Sequence, residues 1–177
     1  QVFGSENADI LYGFKGNDQM EGLGGDDILD GGEGADTLVA GAGDDIVDGG
    51  AGDDLIIGGS GEGDDAYYGG TGADTVKYTS ATAGVLVDLE NGLAYSDGED
   101  AGIGSDELFE IENIVASYHD DHLIGDAADN VFDALSGSDT ISGSAGNDTL
   151  NGGTGDDYLD GGGGDDTAYF NVRSTSV

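Results

Sequence analysis

Thirteen aspartates recur at one phase of this 177-residue chain: Asp9, Asp18, Asp27, Asp36, Asp45, Asp54, Asp65, Asp74, Asp121, Asp139, Asp148, Asp157 and Asp166. Most are nine residues apart, and Asn130 holds the same phase. Carboxylates offer hard oxygen ligands or acid–base pairs, and the spacing favours the first. Acidic pairs are so common here that any two could be called a glycosidase dyad, so that signal has no specificity. There is no HExxH, no GxSxG and no cysteine nucleophile. His119-Asp120-Asp121-His122 resembles an HxxH zinc pair, but His119 falls at a turn position and His122 on an outward strand position.

The aspartates belong to nonapeptides. From Gly4 the chain reads GSENADILY, GFKGNDQME, GLGGDDILD, GGEGADTLV, AGAGDDIVD and GGAGDDLII. An irregular unit, GGSGEGDDAYY (58–68), and GGTGADTVK (69–77) follow. The period resumes at residues 116–169 with six more units, from ASYHDDHLI to GGGGDDTAY. Position six carries the aspartate, and position eight is apolar throughout, from Leu11 to Ala168. The glycine-rich half suits a tight turn with positive φ. The last three residues suit a very short strand whose middle side chain points inward. One such strand cannot bury its face alone, whereas stacked units can, which predicts a solenoid. Glycine recurs too often for helix, and the absence of proline leaves every strand N–H free for a ladder.

Composition sets limits of its own. The chain holds 37 Gly, 39 Asp or Glu and only 3 Lys or Arg, for a formal net charge of −36. So dense a negative field argues against nucleic acid or anionic lipid as partner. Zero cysteine excludes a disulfide scaffold and thiolate metal sites. No stretch of about 18 apolar residues predicts a membrane span. With 36% apolar residues and that charge, the chain resembles a disordered one unless something neutralises the carboxylates.

Two strands per coil bring Asp9 beside Asp27, Asp18 beside Asp36 and Asp27 beside Asp45. Like charges in a partly desolvated row are unfavourable unless a cation lies between them. Carboxylate and carbonyl oxygens select Ca²⁺ over Zn²⁺ or Cu²⁺, and over Mg²⁺ with its strict octahedron. Ten such ions would cancel about twenty charges and leave enough for solubility. Aspartates at position five (Asp26, Asp44, Asp53, Asp156, Asp165) are expected to raise the local field rather than ligate.

GGEGADTLV (31–39), GGAGDDLII (49–57), GGTGADTVK (69–77) and GGTGDDYLD (152–160) match GGxGxDxUx, so the chain resembles the RTX (repeats-in-toxin) nonapeptide family. The resemblance implies Ca²⁺ between units n and n+2. Unit n would give carbonyls from positions two and four and its Asp; unit n+2 would give those from positions one and three and its Asp. Carried over, one site takes Gly32, Gly34 and Asp36 with Gly49, Ala51 and Asp54. Another takes Gly50, Gly52 and Asp54 with Gly69, Thr71 and Asp74. A third takes Ser144, Gly146 and Asp148 with Gly161, Gly163 and Asp166. The same carry-over assigns Gly22, Gly24 and Gly25 beside Asp27, Gly41 and Gly43 beside Asp45, and Gly137 with Gly152 and Thr154 between Asp139 and Asp157. At most ten complete sites result, with Asn130, the irregular unit, Phe14, Ser5 with Asn7, and Ser117 with His119 as departures that lower the count.

The expected fold is all-β: a right-handed parallel β-roll, a β-helix solenoid, in two arrays joined by an irregular β-rich linker. Residues 1–77 form the first array, 78–115 the linker, 116–169 the second array and 170–177 the start of a following linker. DTAYFNVRSTSV (166–177) aligns on DTVKYTSATAGV (74–85), and the chain's first residues align on 113–125, which reads as an excerpt from alternating arrays and linkers. The pattern VxVDLxxGxA…DxLxxIENI in 85–114 resembles linkers of adenylate cyclase–haemolysin type toxins and of giant surface proteins. That likeness implies a secreted, monomeric Ca²⁺-binding module, unfolded inside the cell and folding outside, carried by type I secretion machinery and supporting neighbouring domains. The alternatives are an adhesin or receptor-binding stalk engaging a host receptor or membrane through Tyr67, Tyr68, Tyr95, Tyr118 and Phe109, or a part of a secreted enzyme whose active site lies elsewhere.

Overall fold

The xUx end of each nonapeptide is a strand with its apolar residue turned inward. A computed structural model describes residues 1–58, 63–98 and 100–170; the middle of the irregular unit (59–62) and residues 171–177, predicted to open a further linker, lie outside the described residues. Among the described residues there are nineteen strands and no helix. The first run of repeats gives β1 (Val2–Phe3), β2 (Ile10–Tyr12), β3 (Gln19–Gly24), β4 (Ile28–Glu33), β5 (Thr37–Ala42), β6 (Ile46–Ala51), β7 (Leu55–Ile57), β8 (Ala66–Thr71) and β9 (Thr75–Lys77). Then come β10 (Val85–Asp88), β11 (Leu93–Ser96), β12 (Ser105–Phe109) and β13 (Asn113–Val115). The second run gives β14 (His122–Ile124), β15 (Val131–Asp133), β16 (Thr140–Ser142), β17 (Thr149–Asn151), β18 (Tyr158–Asp160) and β19 (Thr167–Tyr169).

Alternate strands fall into two facing sheets, as a two-strand coil requires. One runs β1-β3-β5-β7-β9-β13-β15-β17-β19, the other β18-β16-β14-β10-β11-β12-β8-β6-β4-β2. Registers step by 18 residues, as Met20 opposite Leu38 shows; across the irregular unit the step is 20, with Val47 opposite Tyr67. The chain is thus a parallel β-solenoid of the β-roll kind. Position-eight side chains fill its interior: Leu29, Leu38, Val47, Ile56, Tyr67, Val76, Leu123 and Ile141 have no exposed surface. Each large aliphatic side chain so buried is worth about 1.5–3 kcal/mol.

Residues 78–115 join the same two sheets. In one, β13 sits between β9 and β15 in unbroken register, with Val76 opposite Ile114 and Ile114 opposite Phe132. In the other, three strands occupy the interval: β12 parallel to β8, β10 parallel to β14, and β11 antiparallel to both. That sheet therefore gains two more strands than its partner across this interval, roughly 10 Å at ordinary strand spacing.

Candidate metal centres

The glycine halves set the site. Positions two and four have positive φ in most repeats, for example Gly32 at 98° and Gly34 at 136°. Phe14, Leu23, Leu135 and Ser144 occupy position two at φ 62–79°, so there the left-handed turn is imposed on side chains that disfavour it. With this alternation, carbonyls at positions two and four point toward the next turn. A methyl placed on Gly43 would lie 2.5 Å from the Gly25 carbonyl oxygen, and one on Gly50 would meet that of Gly32 still closer. Position-one carbonyls point back: a methyl on Gly31 would lie 2.7 Å from the Gly49 oxygen. Position-three carbonyls also point back, since the Gly34 N–H donates to Ala51 and the Gly52 N–H to Thr71, at 2.7 and 2.8 Å.

The aspartates form two ladders between these turns. Asp27 Oδ1 accepts the Asp9 N–H, Asp36 that of Asp18, Asp45 that of Asp27 and Asp54 that of Asp36, all at 2.7–2.8 Å. Asp65 and Asp74 continue the pattern to Asp45 and Asp54, so the two extra residues of the irregular unit leave the ladder in step. In the second run Asp139, Asp148, Asp157 and Asp166 accept the N–H groups of Asp121, Asn130, Asp139 and Asp148.

One oxygen of each pair is thus used, and the other decides the chemistry. Among the described residues seven Oδ2 atoms are buried without any hydrogen-bond partner: those of Asp27, Asp36, Asp45, Asp54, Asp74, Asp139 and Asp148. A buried carboxylate oxygen facing only carbonyls is costly unless a cation or proton joins it. The Oδ2 of Asp36 lies 2.5 Å from where a methyl on Gly31 would stand, beside the Gly49 carbonyl; Asp54 does the same at Gly49, beside the Gly69 carbonyl. Position one must therefore stay small to leave that space between acceptors. Burial, opposed by the backbone hydrogen bond and reinforced by the neighbouring aspartates, pushes Asp45 and Asp139 up to about 7 and Asp54 to about 6. Hard oxygens from two carboxylates and several carbonyls, with no sulfur, suit Ca²⁺.

Other members of the row have protein donors instead. Asp9 Oδ2 accepts the Ser5 N–H and hydroxyl at 2.7 and 2.8 Å, and Asp121 accepts both donors of Ser117 at 2.9 and 2.6 Å. Asn130 takes the Asp126 N–H on its oxygen and donates to the Glu112 carbonyl. Asp65 Oδ2 accepts the Tyr67 hydroxyl at 2.6 Å, and Asp106 Oδ2 that of Tyr78 at 3.0 Å. Asp157 and Asp166 lie on the last described turns, beside Gly152 and Gly161. Asp18 lies beside Gly13 and is only half-buried.

Some functional positions escaped sequence reasoning. Asp106 extends the ladder above Asp65, its Oδ1 accepting the Asp65 N–H at 3.2 Å, and burial followed by the Asp65 charge pushes it up to about 8. Glu112 does the same above Asp74, at 2.9 Å. A signal was present: AGIGSDELF (101–109) is a nonapeptide with Gly102 and Gly104 at positions two and four, both at positive φ, and Glu112-x-Ile114 keeps the D-x-U half of the repeat without its glycines. Position-five side chains also do more than raise the field. Asp26, Asp44, Asp53 and Asp64 each accept a backbone N–H from the next turn, forming an outer ladder. Tyr67 has no exposed surface, which removes it from any contact face, whereas Tyr68 and Phe109 stack outside with centroids 4.7 Å apart.

A family model described as the RTX calcium-binding nonapeptide repeat, in four copies, matches residues 1–29, 30–62, 60–76, 111–141 and 133–168. The stretch between residues 76 and 111 lies outside those matches. No curated protein matches the chain.

Proposed function

The chain belongs to the RTX calcium-binding nonapeptide repeat family, and from that premise we propose that it is the Ca²⁺-triggered folding module of a secreted protein. RTX repeats bind Ca²⁺, and the module they build is structural rather than catalytic. The observation that carries the reading is the set of seven buried Oδ2 atoms without donors among the described residues, shared between the two ladders. Ions bind between turns, held by Asp27, Asp36, Asp45 and Asp54 in the first run and by Asp139 and Asp148 in the second, together with the aspartates and carbonyls of the adjoining turns. Rungs whose oxygens already have donors, at Asp9, Asp65, Asp121 and Asn130, contribute less or nothing.

Without metal, the −36 charge keeps the chain expanded. Extracellular Ca²⁺ modules have affinities of order 10⁻⁴–10⁻³ M, so the sites stay empty inside a cell and fill outside it. Tenfold saturation adds about 1.4 kcal/mol per site, and several coupled sites then exceed ordinary domain stability. Folding after export through type I secretion machinery would bias movement outward and then hold neighbouring domains apart as a rigid monomeric spacer. Far-UV circular dichroism and small-angle scattering test this: millimolar CaCl₂ should produce β signal and a fall in radius of gyration. Flat traces would sink it.

A contact role is the second reading. Ile10, Ile28 and Ile46 form an exposed in-register column, with the stacked Tyr68–Phe109 pair further along the same sheet. A pull-down of the Ca²⁺-loaded chain against host membranes and glycans separates an adhesive stalk from an inert one.

A further inference from the structure

The rung above Asp74 is closed by a non-repeat segment. Asp74 has no exposed surface, and its Oδ2 has no hydrogen-bond partner. The next turn there is residues 110–114, which hold neither the glycines nor the aspartate of a nonapeptide.

Three features of that segment nevertheless supply what a repeat supplies. The Glu112 Oε2 accepts the Asp74 N–H at 2.9 Å, as Asp74 Oδ1 accepts that of Asp54 at 2.8 Å. Asn113 and Ile114 pair with Thr75 and Val76, as Thr75 and Val76 pair with Leu55 and Ile56. The Glu110 carbonyl oxygen meets the space above Gly69, where Asp74 Oδ2 lies 2.8 Å from the place of a methyl. At Gly49 the Gly69 carbonyl and Asp54 Oδ2 share the equivalent space, at 2.8 and 2.6 Å. Glu110 reaches this position with φ at +55°, a left-handed conformation unusual for a non-glycine residue. Glutamate's extra methylene lets a segment with fewer residues per turn present its carboxylate at the height of the ladder.

A cap on the Asp74 N–H would explain Glu112 alone. It leaves two acceptors, Asp74 Oδ2 and the Glu110 carbonyl, facing one space with no donor between them. We propose that Asp74 Oδ2, the Glu112 carboxylate and the Glu110 carbonyl form a further divalent-cation site of the Ca²⁺ class, which joins the first run of repeats to the segment after it. The assignment rests on the Ca²⁺ reading of the repeats and extends it to a rung with no nonapeptide on one side. The following rung is closed differently, by the Asn130 amide on the Glu112 carbonyl at 3.1 Å, so the cation row of the first run ends here and resumes at Asp148.

Native mass spectrometry of the full chain in CaCl₂ tests the site. Glu112→Gln keeps an acceptor for the Asp74 N–H but loses the charge, and should bind one ion fewer per chain than wild type. Glu107→Gln, on the exposed face of β12, should bind the same number. Crystals of the wild-type chain grown in Ca²⁺ give a readout independent of any variant's folding: anomalous density is expected between Asp74 and Glu112. Ions at the Asp36–Asp54 rung without density there, or an unchanged ion count in Glu112→Gln, overturn this assignment and leave the repeat sites standing. A wild-type chain that binds no Ca²⁺ overturns both.

Discussion

Asp54 stands one turn along from Asp36 and accepts its backbone N–H on Oδ1 at 2.7 Å, while the Oδ2 atoms of both are buried without a partner. Each aspartate therefore secures the previous turn with one oxygen and offers the other to the space ahead. A row built this way couples folding to cation binding, because closing a turn buries an acceptor that only a cation or proton can satisfy.

Replacing one of these carboxylates should remove more than a local charge. Asp54→Asn keeps the acceptor for Asp36 but weakens the rungs on both sides. The Ca²⁺ midpoint of folding should move upward, and each ion lost at tenfold saturation removes about 1.4 kcal/mol. Ca²⁺ titration followed by circular dichroism reads the shift. Asp30→Asn, on the outer face of β4, should leave the midpoint near the wild-type value.

The cation-free chain should respond to acid in the reverse of the usual direction. Asp45 and Asp139 lie at about 7 and Asp54 at about 6 in the fold, raised above the 3.8 of a free aspartate, with burial the first cause. Between those values the folded state holds protons that the unfolded state has released, so stability rises as pH falls. Without Ca²⁺, β signal should grow from pH 8 to about pH 5. With Ca²⁺ bound, protons compete for the same oxygens, and a calcium electrode should register release below about pH 6. A metal-free chain with flat β signal over that range would contradict the burial of these carboxylates.

Position one should admit a methyl and nothing larger, since it holds buried Ala40, Ala116 and Ala134 in three repeats, including those of Asp45 and Asp139. Gly31→Ala would set its methyl 2.5 Å from Asp36 Oδ2 and 2.7 Å from the Gly49 carbonyl, so these neighbours must shift slightly, as the repeats with Ala40 and Ala134 allow. By native mass spectrometry Gly31→Ala should keep the wild-type Ca²⁺ count, whereas Gly31→Leu should lose one bound ion. Gly16→Ala meets nothing within 4 Å and carries only the strain of φ at +110°, so its ion count should stay at the wild-type value.

The tyrosine-closed rung should behave independently of metal. Tyr67→Phe leaves Asp65 Oδ2 without its 2.6 Å donor inside the core. The expected cost is about 1–3 kcal/mol, visible in urea unfolding at saturating Ca²⁺ and with no fall in the number of ions bound. A higher ion count would instead show a cation taking the place of the lost donor at Asp65 Oδ2.

The period, the inward column at position eight and the aspartate at position six were all legible in the chain, because each is a local pattern repeated with fixed phase. The ladder itself follows from that phase: with 18 residues per coil, Asp36 must meet Asp54. What each carboxylate faces was decided by side-chain geometry, partly within its own repeat and partly from distant segments. Tyr67 closes the Asp65 rung from two residues away, and Ser5 and Ser117 close theirs from four residues away, whereas Tyr78 reaches Asp106 from 28 residues away, with β12 lying against β8. The stretch 78–115 carries one isolated nonapeptide, AGIGSDELF at 101–109, among residues without the period, so its place in the solenoid rested on that unit and on Glu112-x-Ile114, too short to stand out alone. The sequence by itself determined a stack of acidic turns. Only the tertiary structure separated the carboxylates that find a protein donor from those left to a cation, since hydrogen-bond satisfaction depends on distances that no repeat count contains.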